Sequence, residues 1–267
     1  MAVVASVRII GPGRAGRSLA GALAAVGWVV EPLLGRGDDL AGAAQGVEVL
    51  VVATPDAAVA EVAASVRPVA TTVVLHLSGS LGTDAVGTHS RRGCLHPLVP
   101  LPDPATGSER LRSGVTFAVA GDPMASELAE ALGGRAVEVP DAARPLYHAA
   151  ATVAANHLVA VLGQVARLAG DPRLAGGPGS GSALAGGPGS GSTLAGGPGL
   201  GLADFLPLAR AALDDVARAG PAAALTGPVA RGDWATVSAH LDALSPDEHA
   251  GYLGGVALAL RLLADRR

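Results

Sequence analysis

The chain has 267 residues, 49% of them hydrophobic and 2% aromatic, with a formal net charge of −4. That length supports a large core built from Ala, Val and Leu and fits two domains better than one, while the acidic balance leaves no basic footprint for nucleic acid. A single cysteine, Cys94, excludes an internal disulfide and a multi-cysteine metal site, and because all 19 basic residues are arginines, no amine is available for Schiff-base or lysine acid–base chemistry.

Val3–Ile10 is apolar and β-branched enough for a buried strand, and it runs straight into Gly11-Pro12-Gly13-Arg14-Ala15-Gly16 and then a helical pattern from Ser18. Strand, G-x-G-x-x-G turn and helix in that order form a dinucleotide-binding fingerprint. Gly11 makes the turn, Gly13 lets the backbone approach a pyrophosphate, and Gly16 lets the helix pack on the strand. The helix N-terminus offers free N–H groups to an anion. Trp28–Leu34 reads as the next strand, followed by Arg36 near the place where an NAD-binding fold carries an acid for the ribose 2′-hydroxyl. An arginine there suits a 2′-phosphate, so NADP is the expected cofactor, with NAD the alternative and a solvated Arg36 the simpler reading.

Val47–Ala53 is nearly all apolar, as a strand covered on both faces should be. It ends in Thr54-Pro55-Asp56. Helix Ala57–Val66, strand Thr72–Leu77, the turn Ser78-Gly79-Ser80 and a short strand Gly93–Leu95 ending at His96-Pro97 follow. Ligands of open α/β sheets bind at strand carboxyl ends, so chemistry is expected at residues 11–16, 54–56, 78–80 and 96–97. Strands Val115–Ala120 and Ala136–Val139 bracket a helix at Pro123–Leu132 and close a first domain, 1–140, a doubly wound, mostly parallel sheet.

The pattern then becomes all-helical, with helices predicted over Asp141–Ala169, Leu202–Ala219, Asp233–Leu244 and Pro246–Ala264, and a break at Thr226-Gly227-Pro228. Three decapeptide repeats beginning at Leu174, Leu184 and Leu194 are too rich in Gly, Pro and Ser to bury a core, and a flexible insertion is expected at about 174–201. The apolar runs are short and punctuated by Gly, Pro, Asp or Arg, so no membrane span is expected. With no secretory leader legible at the start, a cytoplasmic location is expected. The apolar circumference of Asp141–Ala169 exceeds what one neighbouring helix would cover, and a homodimer through the helical domain is expected.

Several blocks together carry a family resemblance: Gly11–Gly16, Thr54-Pro55-Asp56, Leu77–Gly82, Leu95-His96-Pro97-Leu98, Tyr147-His148 through Asn156, and Leu225–Asp233. In that order they resemble a bacterial two-domain family with a Rossmann-like N-terminal domain and a helical C-terminal domain of unknown function. Its relatives are ketopantoate reductase, pyrroline-5-carboxylate reductase, prephenate dehydrogenase and the β-hydroxyacid dehydrogenases. The resemblance implies an NAD(P)-binding fold, dimerisation through the helices and a substrate cleft between domains, without supplying a reaction. The β-hydroxyacid dehydrogenases carry a lysine four residues before an asparagine; here Asn156 is present and the matching position is Thr152.

Without a lysine, the proton donor to a carbonyl under hydride attack falls to His96 or His148, since histidine titrates near neutrality. Tyr147 and His148, being adjacent on a helix, are expected to face different directions. Asn156, on the face of His148 and Thr152, is placed to hold a carboxylate or carbonyl, or to satisfy buried backbone. Ser78 and Gly79 join the cofactor contacts with Thr54, Pro55 and Asp56. His89, His157, His240 and His249 show no metal-ligand spacing. The leading expectation is an NADP-dependent oxidoreductase acting on a small carboxylate-bearing substrate. The alternative is a dinucleotide-binding sensor or interaction protein that has lost the catalytic lysine.

Overall fold

The computed structural model describes residues 5–174 and 199–265; most of the expected flexible insertion, and the first two residues of the first expected strand, lie outside them. Seven strands form one sheet: β1 (Ser6–Ile10), β2 (Val29–Val30), β3 (Val49–Val52), β4 (Val73–His76), β5 (Arg91–Pro97), β6 (Thr116–Gly121) and β7 (Arg135–Glu138). Their order is β2-β1-β3-β4-β5-β6-β7, parallel throughout except for the antiparallel β5–β6 pair. β1 therefore has β2 on one side and β3 on the other, and the reversal of strand order lies at the carboxyl ends of β1 and β3.

Alternation along the strands builds two cores. Val7, Ile9, Val49, Val51, Val73 and Leu75 enter one, with Leu19 and Leu23 of α1 (Arg14–Ala25). Ile10, Leu50, Val52 and Val74 enter the other, with Val59 and Ala63 of α2 (Asp56–Ser65). A period of two in a sheet covered on both faces explains why these strands read as unbroken apolar runs. The polar helix α3 (Pro104–Leu111), absent from the sequence expectation, is capped by Asp103, whose carboxylate accepts from Thr106 N at 2.9 Å. It lies against α1 where a Cβ on Gly107 would meet Ser18 Oγ at 2.0 Å, so contact is made through small residues and shows no apolar stripe. Helix α4 (Met124–Ala131) packs Leu128 into the first core.

The expected strand at Trp28–Leu34 is shorter in the structure. Glu31 N still donates to Val7 O at 2.9 Å, but the next acceptor, Ile9 O, takes Leu34 N at 3.0 Å, one residue past the alternating register, so regular pairing stops at Val30 and only a single bridge joins Ile10 to Leu34. The expected strand at Gly93–Leu95 is longer and takes in His96. The run Asp141–Ala169 is helical but composite: a 3-10 turn (Asp141–Ala143), α5 (Arg144–Thr152), a π-helical turn (Val153–His157) and α6 (Leu158–Ala169). By length and composition this run could cross a membrane, at a mean hydropathy of 1.4 and with none of its apolar window buried, where the sequence reading finds no span. Its polar side chains interrupt that character: Arg144 is fully buried, and Gln164 and Arg167 are both bonded to Glu248.

The chain divides into two compact units, Met1–Ala155 and Asn156–Arg267, a division inside the π-helical turn and not at Asp141. The second unit contains α6, α7 (Leu202–Ala219), α8 (Pro221–Ala224), α9 (Gly227–Arg231), α10 (Trp234–Ala243) and α11 (Pro246–Ala264). The expected break at Thr226–Pro228 is the start of α9, and Asp233 caps α10 by accepting from Thr236 N at 3.1 Å. Among the described residues of this unit only Ala169, Val237 and Glu248 are buried.

Candidate active site

Parallel register sets the geometry. Ile10, Val52, His76 and Cys94 are successive partners across β1, β3, β4 and β5. Two residues beyond that row, at the same sheet edge, come Pro12, Thr54, Ser78 and His96.

At the first of these positions the glycine turn is held by Gly11 N donating to Leu34 O at 2.8 Å, and Gly11 has φ +107°. A Cβ on Gly16 would stand 2.1 Å from Gly11 O, whereas one on Gly13 would meet nothing within 4 Å. Gly11 and Gly16 are thus required by the fold and Gly13 is not. Helix α1 begins with no side-chain cap and no acid in its first turn, so the N–H groups at its N-terminus are left for an anion. Arg17, a residue the sequence reading passed over, donates Nε to Pro12 O at 2.7 Å and braces the turn. Arg14 and Arg36 are exposed. Arg36 lies two residues beyond Leu34, the residue whose carbonyl receives Gly11 N, while Asp38 is occupied by Gly35 N at 2.7 Å.

Next along the edge, the Thr54 hydroxyl is buried and has no hydrogen-bond partner. Pro55 is the N-cap of α2, and Asp56 in its first turn accepts from Ser78 Oγ at 2.7 Å and Ser80 Oγ at 2.8 Å through one carboxylate oxygen. Ser78 Oγ in turn accepts from Leu81 N at 3.1 Å. These residues brace one another; Asp56 and Ser78 shape the turn from within. His76, also absent from the sequence reading, completes the brace. Its Nε2 meets Gly82 O at 3.1 Å and its Nδ1 accepts from Ser78 N at 3.2 Å. Burial lowers its pKa, which keeps it the neutral ring that this pair of bonds requires.

Gly79 then lies against the rings. A Cβ there would be 2.7 Å from His148 Cδ2 and 2.9 Å from His96 Nε2 and Cε1. His96 Nδ1 is 2.7 Å from Tyr147 Oη, and both the Tyr147 and His148 rings stand edge-on to His96, with centroids 5.6 and 5.9 Å away. Tyr147 and His148 do not face apart as their adjacency suggests: the His96 ring is wedged against both. Burial first, then the charges of His148 and Arg144, push the His96 pKa down to about 4. That departs from the expected titration near neutrality. At pH 7 His96 is a neutral imidazole, and the tautomer in which Nδ1 accepts from the Tyr147 hydroxyl carries its proton on Nε2, the atom beside Gly79.

Arg144 is the residue that sequence reasoning missed altogether. Arg144, Tyr147 and His148 are spaced i, i+3, i+4 on α5, a pattern that places three polar groups on one helical face and could have revealed it. Cys94 is buried and its thiol is pushed up to about 11, which makes it inert. His89 is buried with Nε2 on Ala63 O at 3.1 Å, and His240 and His249 bond to Tyr252 Oη and Leu241 O, all consistent with structural roles. Asn156 and His157 are exposed and belong to the second unit; Asn156 is not among the residues that the first unit brings together. Among the described residues no group of His, Cys, Asp and Glu could hold a metal ion.

A mostly parallel sheet with a glycine turn at its reversal point and a polar strand edge defines a Rossmann-like protein, here followed by a helical unit. Residues 114–254, more than half of the chain, match the family described as a domain of unknown function (DUF2520), and the chain belongs to that family. No curated protein matches it. Among solved structures it is similar to a presumed NADP oxidoreductase from Bacteroides fragilis, at 19% identity over 97% of each chain with a TM-score of 0.71. It is also similar to a protein from Thermotoga maritima, at 20% identity over 98% of this chain and all of that one, with a TM-score of 0.66. A reductive aminase from Aspergillus terreus, in complex with NADPH and ethyl-5-oxohexanoate, aligns at 14% identity over 99% of this chain and 100% of its own, with a TM-score of 0.63. At such identities the likeness is one of fold.

Proposed function

We propose that the chain is an NADP-dependent oxidoreductase that transfers a hydride to or from a small carboxylate-bearing substrate. The observation that carries this reading is the single sheet edge on which the register gathers the glycine turn, the Thr54 hydroxyl, the serine turn and His96. The residues fit a nicotinamide dinucleotide: the open space over Gly13 and the uncapped start of α1 accept a pyrophosphate. The orphaned Thr54 hydroxyl lacks the partner that a buried polar group requires, and Arg36 would face a 2′-phosphate. When bound, the dinucleotide supplies the hydride. The protein supplies the proton, from His96 Nε2–H, and Gly79 keeps that atom free of side chains. The described likeness to an NADP oxidoreductase and an NADPH-bound reductive aminase supports the same reading. The exposed apolar faces of α6 and α7 support a homodimer.

The test is NADPH consumption by the full chain against a panel of small oxo acids. His96→Ala should lower turnover by roughly 10²–10⁴ while leaving NADPH affinity unchanged, and the exposed His157→Ala should alter neither. A sensor without turnover is the second reading, favoured by the absence of any lysine. It predicts NADPH binding that His96→Ala leaves intact and no consumption with any member of the panel.

A further inference from the structure

His96 is held from two sides. Its backbone pairs with Ala118 across β5 and β6, which fixes its Cα, and its ring meets Tyr147 of α5, with Nδ1 2.7 Å from Tyr147 Oη and the two rings edge-on. A neutral imidazole carries one proton on one of its two nitrogens. That choice decides what the ring presents on its far side, an N–H that donates or a lone pair that accepts. Here the far side is Nε2, the atom beside Gly79. Among the described residues neither Nε2 nor Tyr147 Oη has a further hydrogen-bond partner, so the contact at Nδ1 is the one that bears on the choice.

That contact has a preferred sense. With Tyr147 donating, one bond uses the phenol proton and the Nδ1 lone pair together, and the ring proton is left on Nε2. With Nδ1–H donating, the phenol proton has no acceptor among the described residues and a bare lone pair is turned towards Gly79. The ring nitrogen is also the stronger base of the two partners, which favours O–H···N. Burial holds both groups in the states that this sense requires. It raises the Tyr147 pKa, so the hydroxyl keeps its proton, and it lowers that of His96 to about 4, so the ring keeps a lone pair to receive it. We propose that Tyr147 is a positioning residue whose hydroxyl holds the His96 proton on Nε2. The proposal rests on His96 being the group that meets the substrate, and it narrows the substrate class. An Nε2–H at Gly79 receives a reacting atom with a lone pair to offer, the carbonyl oxygen of an oxo acid. The hydroxyl of a hydroxy acid finds no lone pair on Nε2 to take its proton, so the resting site is set for the oxo substrate.

The tautomer can be read directly from the ring nitrogens of the nitrogen-15-labelled full chain by long-range proton–nitrogen correlation at pH 7. The chain has seven histidines, and the signals of His96 are those missing from His96→Gln. The parent should show Nε2 as the protonated nitrogen and Nδ1 as the bare one. Tyr147→Phe keeps the edge-on ring and removes the hydroxyl alone, so the two tautomers should mix and the two nitrogen shifts should move towards each other. Tyr252→Phe strips the same kind of contact from His240 Nδ1 and should leave the His96 signals where they are. Tyr147→Leu serves for the same comparison if the Phe variant does not fold. A parent with the proton on Nδ1 or shared between the nitrogens overturns the proposal. So does a Tyr147 variant that melts lower while its His96 pattern stays unchanged, since that is the mark of a merely structural tyrosine. The measurement uses neither dinucleotide nor substrate, so its failure removes the role of Tyr147 alone, whereas a chain that binds no NADPH removes the proposed function and leaves the tautomer as it is.

Discussion

Two glycines of one turn should respond in opposite ways to an added side chain. At Gly16 a Cβ would lie 2.1 Å from Gly11 O and 3.3 Å from Ala53 Cβ, and since the nearer atom is backbone, the strand-to-helix crossing itself has to shift. Overpacking of this severity costs about 3 kcal/mol, at the upper end of its usual range, against about 1 kcal/mol gained by replacing glycine within a helix. The net loss of about 2 kcal/mol corresponds to a fall in Tm of roughly 4–8 °C for a chain of this size. At Gly13 the backbone is extended, φ −77° and ψ −170°, and a Cβ meets nothing within 4 Å. Gly13→Val should therefore lose no more than about 1 kcal/mol, the cost of a poorer helix N-cap. Its methyl groups fill the space over the N-terminus of α1 where the pyrophosphate is proposed to lie, so NADPH affinity should fall about 100-fold, or about 2.7 kcal/mol. Thermal melting and NADPH titration of both variants decide the matter. A Gly13→Val protein that binds NADPH as tightly as the parent, or melts below Gly16→Ala, refutes the reasoning.

Stability should fall in mild acid. The His96 pKa is lowered from 6.5 to about 4, so between those values the unfolded chain binds a proton that the folded one does not. Stability is full above pH 6.5 and is lost as pH falls towards 4, by roughly 3 kcal/mol in total; His76, lowered in the same direction, adds to it. Melting His96→Gln at pH 7 and pH 5 should show a smaller loss than the parent, and an equal loss contradicts the burial argument. Arg36→Asp should reverse or erase a preference for NADPH over NADH, and an unchanged ratio of dissociation constants would place Arg36 in solvent. In the second unit, Leu158, Leu162, Val165, Phe205 and Leu208 line an apolar groove of about 320 Å³, and Leu208 is 69% exposed. Leu208→Asp should convert the proposed dimer to a monomer in light scattering, and a parent chain that is already monomeric at micromolar concentration rules the dimer out.

The sheet was legible because its strands are covered on both faces. Val49–Val52 has no polar position at all, and such a run between turn signals has few other readings. The glycine turn was legible for a related reason, since Gly11 and Gly16 are imposed by close backbone contact and leave their mark as residue type. Helix α3 was not legible, because it meets α1 through Gly107 and Ser18 and buries no apolar stripe. His76 escaped notice at the end of an apolar run, where one polar letter looks like a strand boundary and not a ring bonding to its own loop. The His96–Tyr147–His148 cluster was half legible. Each member was named, but their meeting depends on β5 extending past Leu95 to His96, and on a third ring between two helix neighbours that helical geometry alone separates. Arg144 shows the limit most clearly, because burial of a charge cannot be read from its letter.

The central claim is that the turn from Gly11 to Gly16 holds a nicotinamide dinucleotide, and equilibrium titration of the full chain with NADPH, followed by nucleotide fluorescence, tests it most directly. The account predicts saturable binding with a Kd in the micromolar range or tighter, of order −8 kcal/mol or more, competed by NADP and weakened in Gly13→Val. Absence of saturable binding at millimolar NADPH and NADH, from a chain whose melting curve shows it folded, would contradict it.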